Sequence, residues 1–334
     1  MKRNLIQVAT AANTRFFPGL LVSLGSSLAS ASGNFDYRIF VLDGGLSADE
    51  WLIMDSCLQR LGGKKGIQVE LCPIDATGSL IAGLPTRRGS SLTFARLAIP
   101  SIIDGSKCVY MDSDVLCLRG VEEFWNAIND TTALVAVRDP LGYLGRDSLT
   151  RQLPTSKRKQ PYFNAGVIGM NLDRWREPNI QSQLSELLPA AESYKYVDQS
   201  LLNFVFHDQW HELPSTCNRL LTLAACGELA NTSGLANYHY IGARKPWLSS
   251  ISNFYRHVPN LLFDRMHHWI LGGQPCEKRS ICQRSLVTAR KKQLIYRIFL
   301  PSRGRQYSAA LAAHDNAEMI ANYLWNNWKQ HFNL

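Results

Sequence analysis

Long apolar runs are missing from this chain. No uninterrupted stretch approaches the ~20 residues that a membrane span needs, so no transmembrane helix is expected. Met1-Lys2-Arg3 imitates the start of a signal peptide, but Gln7, Asn13 and Arg15 interrupt the apolar run behind it and no clean h-region forms. Cys-x-x-Cys pairs are absent, and the eight cysteines have no framework spacing. That argues against a zinc site and for free thiols in a reducing cytosol. Internal repeats and low-complexity tracts are also missing. At 334 residues and 46% hydrophobic content, one large domain or one domain plus an appendage is expected. Acidic residues are scarce in one place: residues 276–305 hold nine Lys and Arg against the single acid Glu277. Nearly all of the net charge of +9 lies there, and the rest of the chain is close to neutral.

Strand and helix signals alternate through the first 125 residues. Leu5–Thr10 reads as a strand and Pro18–Ala31 as a helix. Tyr37–Leu42 is a strand, Ala48–Leu61 a helix capped by Ser47, and Ile67–Cys72 a strand. Leu92–Ile103 is helical, and Lys107–Met111 is the next strand. This order predicts an α/β fold with a mostly parallel central sheet. Downstream, Ala133–Val137, Tyr162–Asn171 and Asn237–Ile241 read as strands. Gln181–Leu188 and Asp198–Phe206 read as helices, and the polar stretch Leu141–Gln160 as a loop.

The strongest chemical signal is Asp112-Ser113-Asp114, which comes after the apolar run Cys108–Met111 and precedes Val115–Leu118. Two carboxylates one residue apart at a strand end can hold a hard divalent cation with positions left open for phosphate. The same tripeptide also fits an acidic turn after a strand. Three further clusters lie downstream. In Tyr162–Asn171, the Asn164 amide can both donate to and accept from sugar hydroxyls, and Ala165 and Gly166 leave room beside the backbone. A strand with a glycine bulge explains that run equally. Asp198-Gln199 opens a helix, where a carboxylate is also favoured simply as a cap. His239–Trp247 supplies an imidazole at a strand end, a turn at Gly242 and a point charge at Lys245.

Taken in order, these segments resemble glycosyltransferase family 8, especially its bacterial lipopolysaccharide galactosyl- and glucosyltransferases. The likeness runs over Arg96 in Leu92–Leu97, Tyr110–Leu116, Asp139, Phe163–Val167 with Asn171-Leu172 and Trp175, Asp198-Gln199, and His239–Trp247. It spans roughly residues 5–250. The resemblance implies a GT-A, Rossmann-like nucleotide-sugar domain over 1–250, with a basic helical region over 251–334. It implies Mn2+ (or Mg2+) on Asp112, Asp114 and His239, bridging the diphosphate of a UDP-hexose. Gly242 and Lys245 would contact the phosphates. Arg96, Asp139, Asn164, Ala165 and Asp198 would hold the donor sugar, with Thr10, Asn13, Ser113 and Gly166 also lining the donor site. Gln199 would sit beside the anomeric carbon, with Asp198 and Asp139 completing the catalytic group.

One departure concerns the base. Family members often carry an acid, with Asn and Tyr after it, past the first strand; here Thr10-Ala11-Ala12-Asn13-Thr14 keeps only the Asn. The expected partners are a saccharide or lipid-linked saccharide acceptor and, through 276–305, an anionic membrane surface. The expected location is cytoplasmic, with peripheral attachment at the inner face of the membrane. Three competing readings stand beside this. An Asp-x-Asp phosphatase would want Thr or Val where Leu116 stands. A nucleic-acid binder would suit the tail, but the acidic cluster does not fit it and no recognised motif is present, so no nucleic acid is expected. A non-catalytic sugar-nucleotide-binding relative is the third.

Overall fold

The first strand sets the architecture. In β1 (Asn4–Ala12) every residue from Ile6 onward is buried, the signature of a strand covered on both faces. The computed structural model describes residues 3–77, 84–85, 91–229, 234–248, 251–273, 280–281 and 283–334. After β1 come α1 (Phe17–Ala29), β2 (Phe35–Asp43), α2 (Ala48–Lys65), β3 (Val69–Asp75) and the short helix α3 (Ile99–Ile102). β4 (Lys107–Met111) and β5 (Val115–Cys117) flank the aspartates. They are followed by α4 (Glu122–Ala127), β6 (Leu134–Tyr143), β7 (Pro161–Asn171), α5 (Leu172–Trp175), α6 (Pro178–Leu187) and α7 (Asp198–Val205). The rest comprises β8 (Trp210–Leu213), β9 (Arg219–Leu220), α8 (Leu223–Glu228), β10 (Asn237–His239), α9 (His257–Ile270), α10 (Gln283–Phe299), α11 (Pro301–Asp315) and α12 (Ala317–His331).

The main sheet has the order β3-β2-β1-β4-β7-β6-β8. Every pair in it is parallel except those of β7, which runs against both β4 and β6. This is the mostly parallel α/β sheet expected. Side chains alternate across it: Val109 and Met111 of β4 join the core on one face, Cys108 and Tyr110 that on the other. A small second sheet, β5-β10-β9, sits off the end of β4.

Local differences from the sequence reading have local causes. Helix α2 begins with the Ser47–Glu50 capping box but runs on to Lys65, ending at Gly66 in the left-handed region (φ 64°). Its internal Gly62 is there for close packing, since a Cβ would lie 2.7 Å from Val69 Cγ2. The next strand therefore starts later and reaches Asp75. Leu92–Ala98 winds as 3-10 turns before α3. The stretch 141–160, expected to be a plain loop, continues β6 to Tyr143 and then makes two 3-10 turns, Leu144–Arg146 and Thr150–Gln152. Fully buried Asp147 organises them by accepting from Leu149 N (2.9 Å) and Ser200 Oγ (2.7 Å).

The C-terminal helices are welded to the sheet's helical layer. Apolar residues of α9 and α12 share a core with α1. A Cβ on Gly25 would lie 2.6 Å from Ile270 Cδ1, and Trp328 Nε1 donates to Ser30 Oγ (2.8 Å). Helix α10 packs on α11 so closely that a Cβ on Gly304 would lie 2.7 Å from Arg297 N. Within the basic segment, 276–279 and 282 lie outside the described residues, Lys278 and Arg279 among them. Among the described residues, no helix is long and apolar enough to cross a membrane.

Candidate active site

Backbone pairing fixes the two aspartates. Asp112 N donates to Gly166 O (2.7 Å) at the end of the β4–β7 ladder. Ser23 Oγ of α1 donates to Val115 O (2.7 Å) where the chain turns into β5. β5 then pairs antiparallel with β10, Val115 lying opposite His239, and Tyr240 N donates to Asp114 O (3.0 Å). That short pairing brings an imidazole from far along the chain to the carboxylates. One ligand atom from each of Asp112, Asp114 and His239 lies within 4.8 Å of the others. His239 Nε2 is 3.2 Å from Asp114 Oδ1 and 3.7 Å from Asp112 Oδ2.

The other oxygen of each carboxylate is held by a cation. Asp112 Oδ1 accepts from Arg96 Nη2 (2.8 Å) and from the Tyr110 hydroxyl (2.9 Å). Asp114 Oδ2 accepts from Lys245 Nζ. Such outer partners orient ligands toward an ion. Asp114 Oδ1 is buried without a well-aligned hydrogen-bond partner, its contact with His239 being an ion-pair distance only, and His239 Nδ1 is likewise unpartnered. Burial pushes the Asp114 carboxyl up, but the Lys245 charge and His239 outweigh it and hold the group below the usual carboxylate range. Two free carboxylate oxygens and one imidazole nitrogen suit Mn2+ or Mg2+. Gly166 completes the cradle: a Cβ there would collide with the His239 ring and lie 2.7 Å from Asp112 Oδ2.

A second polar network lies beside the first. Arg96 is buried, stacked 4.4 Å from the Tyr110 ring centroid, and bonded to Ala165 O. Its Nε is 3.0 Å from Asp198 Oδ2, an ion pair out of line for a hydrogen bond. Burial pushes the Asp198 carboxyl up to about 6 against the pull of Arg96, and Asp112 adds to the rise. For Arg96, burial works to lower the pKa, but Asp112 and Asp198 outweigh it and keep the guanidinium charged. Val197, just before Asp198, sits at φ 56° and ψ −120°, a region a β-branched residue rarely adopts and which costs about 1–3 kcal/mol. Asn164 Nδ2 reaches Asp139 Oδ2 and Gln199 Oε1 (both 3.0 Å), and Gln199 Oε1 also accepts from Ala165 N (3.0 Å). The residues named from sequence as sugar-holding and catalytic thus form one connected cluster.

The loop after β10 packs against the aspartates and α1. Gly242 turns at φ 82°, and Lys245 Nζ also donates to Tyr240 O (2.6 Å). Trp247 covers Gly19 of α1, stacks 5.5 Å from the Phe263 ring centroid and donates to Arg15 O (3.0 Å). The β1–β4 register pairs Val8 with Val109 and Ala9 with Tyr110, so Thr10 follows at the strand end nearest the aspartates. Thr10 Oγ1 and Asn13 Oδ1 are both buried without a partner, and Ser113 is buried. Sequence reasoning missed two supports. Fully buried Asn218 donates to Asn164 Oδ1 (3.0 Å). Arg256 holds the loop after β10 through Ile241 O (2.9 Å) and Arg244 O (3.0 Å). Neither stands in a motif, so no spacing announces them.

Comparison with known proteins places this geometry. The model of glycosyl transferase family 8 matches residues 7–250. The chain is 29% identical to glycosyltransferase GlyB of Streptococcus pneumoniae over 63% of its own length and 51% of that protein, so it spans about half of that relative. It is 24% identical to general stress protein A of Bacillus subtilis, covering 72% of this chain and 86% of the other. Among solved structures, the galactosyltransferase LgtC in complex with donor and acceptor sugar analogs aligns with a TM-score of 0.62 and 25% identity. That alignment covers 79% of this chain and 96% of LgtC.

Proposed function

The chain belongs to glycosyl transferase family 8, and from that premise we propose that it moves a hexose, galactose or glucose, from a UDP-sugar to a saccharide acceptor with retention of configuration. Membership puts it among the glycosyltransferases; the donor, the metal and the acceptor are our reading. One observation carries it: Asp112 Oδ2, Asp114 Oδ1 and His239 Nε2 converge, while Arg96 and Lys245 hold the opposite oxygens. In this reading Asp112, Asp114 and His239 hold Mn2+ (or Mg2+), which when bound neutralises charge on the diphosphate.

The chain's own groups do the rest. Breaking the bond from the anomeric carbon to phosphate oxygen leaves negative charge on the departing UDP. Lys245, fixed beside Asp114, lies where that charge grows. Arg96, Asp198, Asp139 and Asn164 orient the sugar through a network with little freedom to rearrange. Gln199 is an amide whose Oε1 is already engaged by Asn164 and Ala165, a poor nucleophile. The reaction is then a same-face substitution, in which the acceptor oxygen bonds to the anomeric carbon and its proton passes to the leaving phosphate. Thr10 and Asn13, with their unsatisfied oxygens, offer acceptors for uracil in place of the usual acid.

Location belongs to the same reading. Val287, Leu294, Ile295, Ile298 and Phe299 project from one face of α10 and are 52–75% exposed, while Leu286 and Ala289 face inward. Lys291 lies within the exposed face and Arg290, Lys292 and Arg297 flank it, an arrangement suited to an anionic bilayer surface. The decisive test measures UDP release and product stereochemistry over a panel of UDP-sugars, with and without Mn2+. We expect one UDP-hexose to react, and Asp114→Asn to lose at least about 100-fold in rate, the scale of losing one strong electrostatic contact. Undiminished turnover after metal chelation would refute it.

A further inference from the structure

A basic hollow, open to solvent, borders the loop after β10. It measures about 500 Å³ between that loop and the first turns of α10, and Arg244, Arg284 and Lys292 line it with Ser285, Thr288 and Tyr307. No carboxylate is among its described lining residues. None of the three cations forms an ion pair with a described residue. Three like charges around one space repel each other, and α10 adds to the field. Its first turn holds no acid, although a helix N-terminus favours acids and disfavours a cation such as Arg284.

The cavity is also stiff and well placed. Arg284, Thr288 and Lys292 succeed one another at four-residue steps along α10 and so share a face. Arg244 is fixed from behind, its carbonyl taken by Arg256 (3.0 Å) and its own Nη1 donating to Asn253 Oδ1 (2.6 Å). Phe254 and Tyr307 stack beneath, 6.4 Å apart and 20° from parallel. Arg244 and Lys245 are consecutive on the loop after β10, so one loop carries a cation of this hollow and the cation held against Asp114.

We propose that this cavity is an acceptor subsite that grips a phosphate ester carried by the saccharide acceptor. Two guanidinium forks, an ammonium and the Thr288 hydroxyl match a tetrahedral dianion with several oxygens to satisfy. The volume suits a sugar phosphate rather than a bare ion. The proposal deepens the glycosyl-transfer reading and rests on it for the word acceptor; the phosphate recognition itself does not depend on turnover.

The test uses the full chain with UDP and Mn2+ at saturation, so that the donor site is filled. Glucose 6-phosphate and glucose are titrated calorimetrically into wild type and an Arg284→Ala/Lys292→Ala variant. Wild type should prefer the phosphorylated sugar by at least about tenfold. The variant should lose that preference while UDP affinity stays within about twofold, as expected for two charge-assisted contacts removed. An unchanged preference in the variant overturns the proposal, as does equal binding of glucose and glucose 6-phosphate by wild type. If phosphatidylglycerol vesicles bind through these two side chains and glucose 6-phosphate does not, the cavity serves a lipid headgroup and the acceptor assignment falls. Failure of UDP to bind, with glucose 6-phosphate still held, would sink the donor reading and leave the phosphate site standing.

Discussion

Gly166→Ala isolates the metal cradle from everything around it. The added methyl would sit against the His239 ring and 2.7 Å from Asp112 Oδ2, both far inside contact distance. Neither neighbour has room to yield. His239 is 4% exposed and held by β5 and β9 on its two sides, and Asp112 is tied to Arg96 and Tyr110. Overpacking of this kind costs about 1–3 kcal/mol. At ~2.1 cal/mol/K per residue, a chain of this length loses roughly 1.5 °C in Tm for each kcal/mol, so a fall of about 1.5–4.5 °C is expected. The larger effect falls on the ion. Turning the imidazole away should weaken Mn2+ binding by about 10–100-fold, the range seen when ligand orientation is disturbed. Gly63→Ala is the control. A Cβ there meets nothing within 4 Å, and the position is inside α2, so it should raise stability by about 0.5–1 kcal/mol. Calorimetric Mn2+ titration and thermal unfolding read both effects. If Gly166→Ala binds Mn2+ within twofold of wild type and melts at the same temperature, the cradle reasoning is wrong.

Two further outcomes are expected. His257 and His314 meet through their Nδ1 atoms (3.1 Å) between α9 and α11, and burial, with the other ring acting on His257, lowers both pKa values below 6.5. Glu318 and Asp315 pull the other way and Arg290 adds to the lowering, without reversing it. Buried neutral imidazoles stabilise the fold above the unfolded value, and that contribution is lost as pH falls from about 6.5 through the lowered pKa values. Urea midpoints at pH 7.5 and 5.5 should differ less in a His257→Gln/His314→Gln variant than in wild type; an equal drop in both would count against this. For α10, Leu294→Ser/Ile298→Ser should cut sedimentation with anionic vesicles at low salt without changing Tm, because both side chains are exposed. Unaltered sedimentation would dismiss the membrane face.

The alternation of apolar runs was enough to read β1 through β4 and the parallel sheet, because a strand covered on both faces has few other sequences to choose from. Asp112 and Asp114 were legible for the same reason: charge abruptly succeeds Cys108–Met111. His239 could be read as a candidate third ligand from its place at a strand end near Gly242 and Lys245, but what unites it with the aspartates is the β5–β10 pairing, which no spacing shows. The polar composition of 141–160 concealed an ordered segment, because its organiser is one buried Asp147 whose partners are a turn and a distant serine. The helix read as ending at Leu61 runs on through Gly62, which serves contact with β3. Along α10 the basic and apolar residues are mixed in sequence, and only the seat on α11 tells which apolar side chains remain outside.

Helix α1 has eleven of its thirteen residues buried, and much of its cover comes from α9 and from Trp328 of α12. During synthesis at about 5–20 residues per second, this leucine-rich segment leaves the ribosome tens of seconds before its lid exists. A greasy helix left waiting is a natural client for a holding chaperone, and the yield of usable enzyme is then decided by how promptly the distal helices arrive.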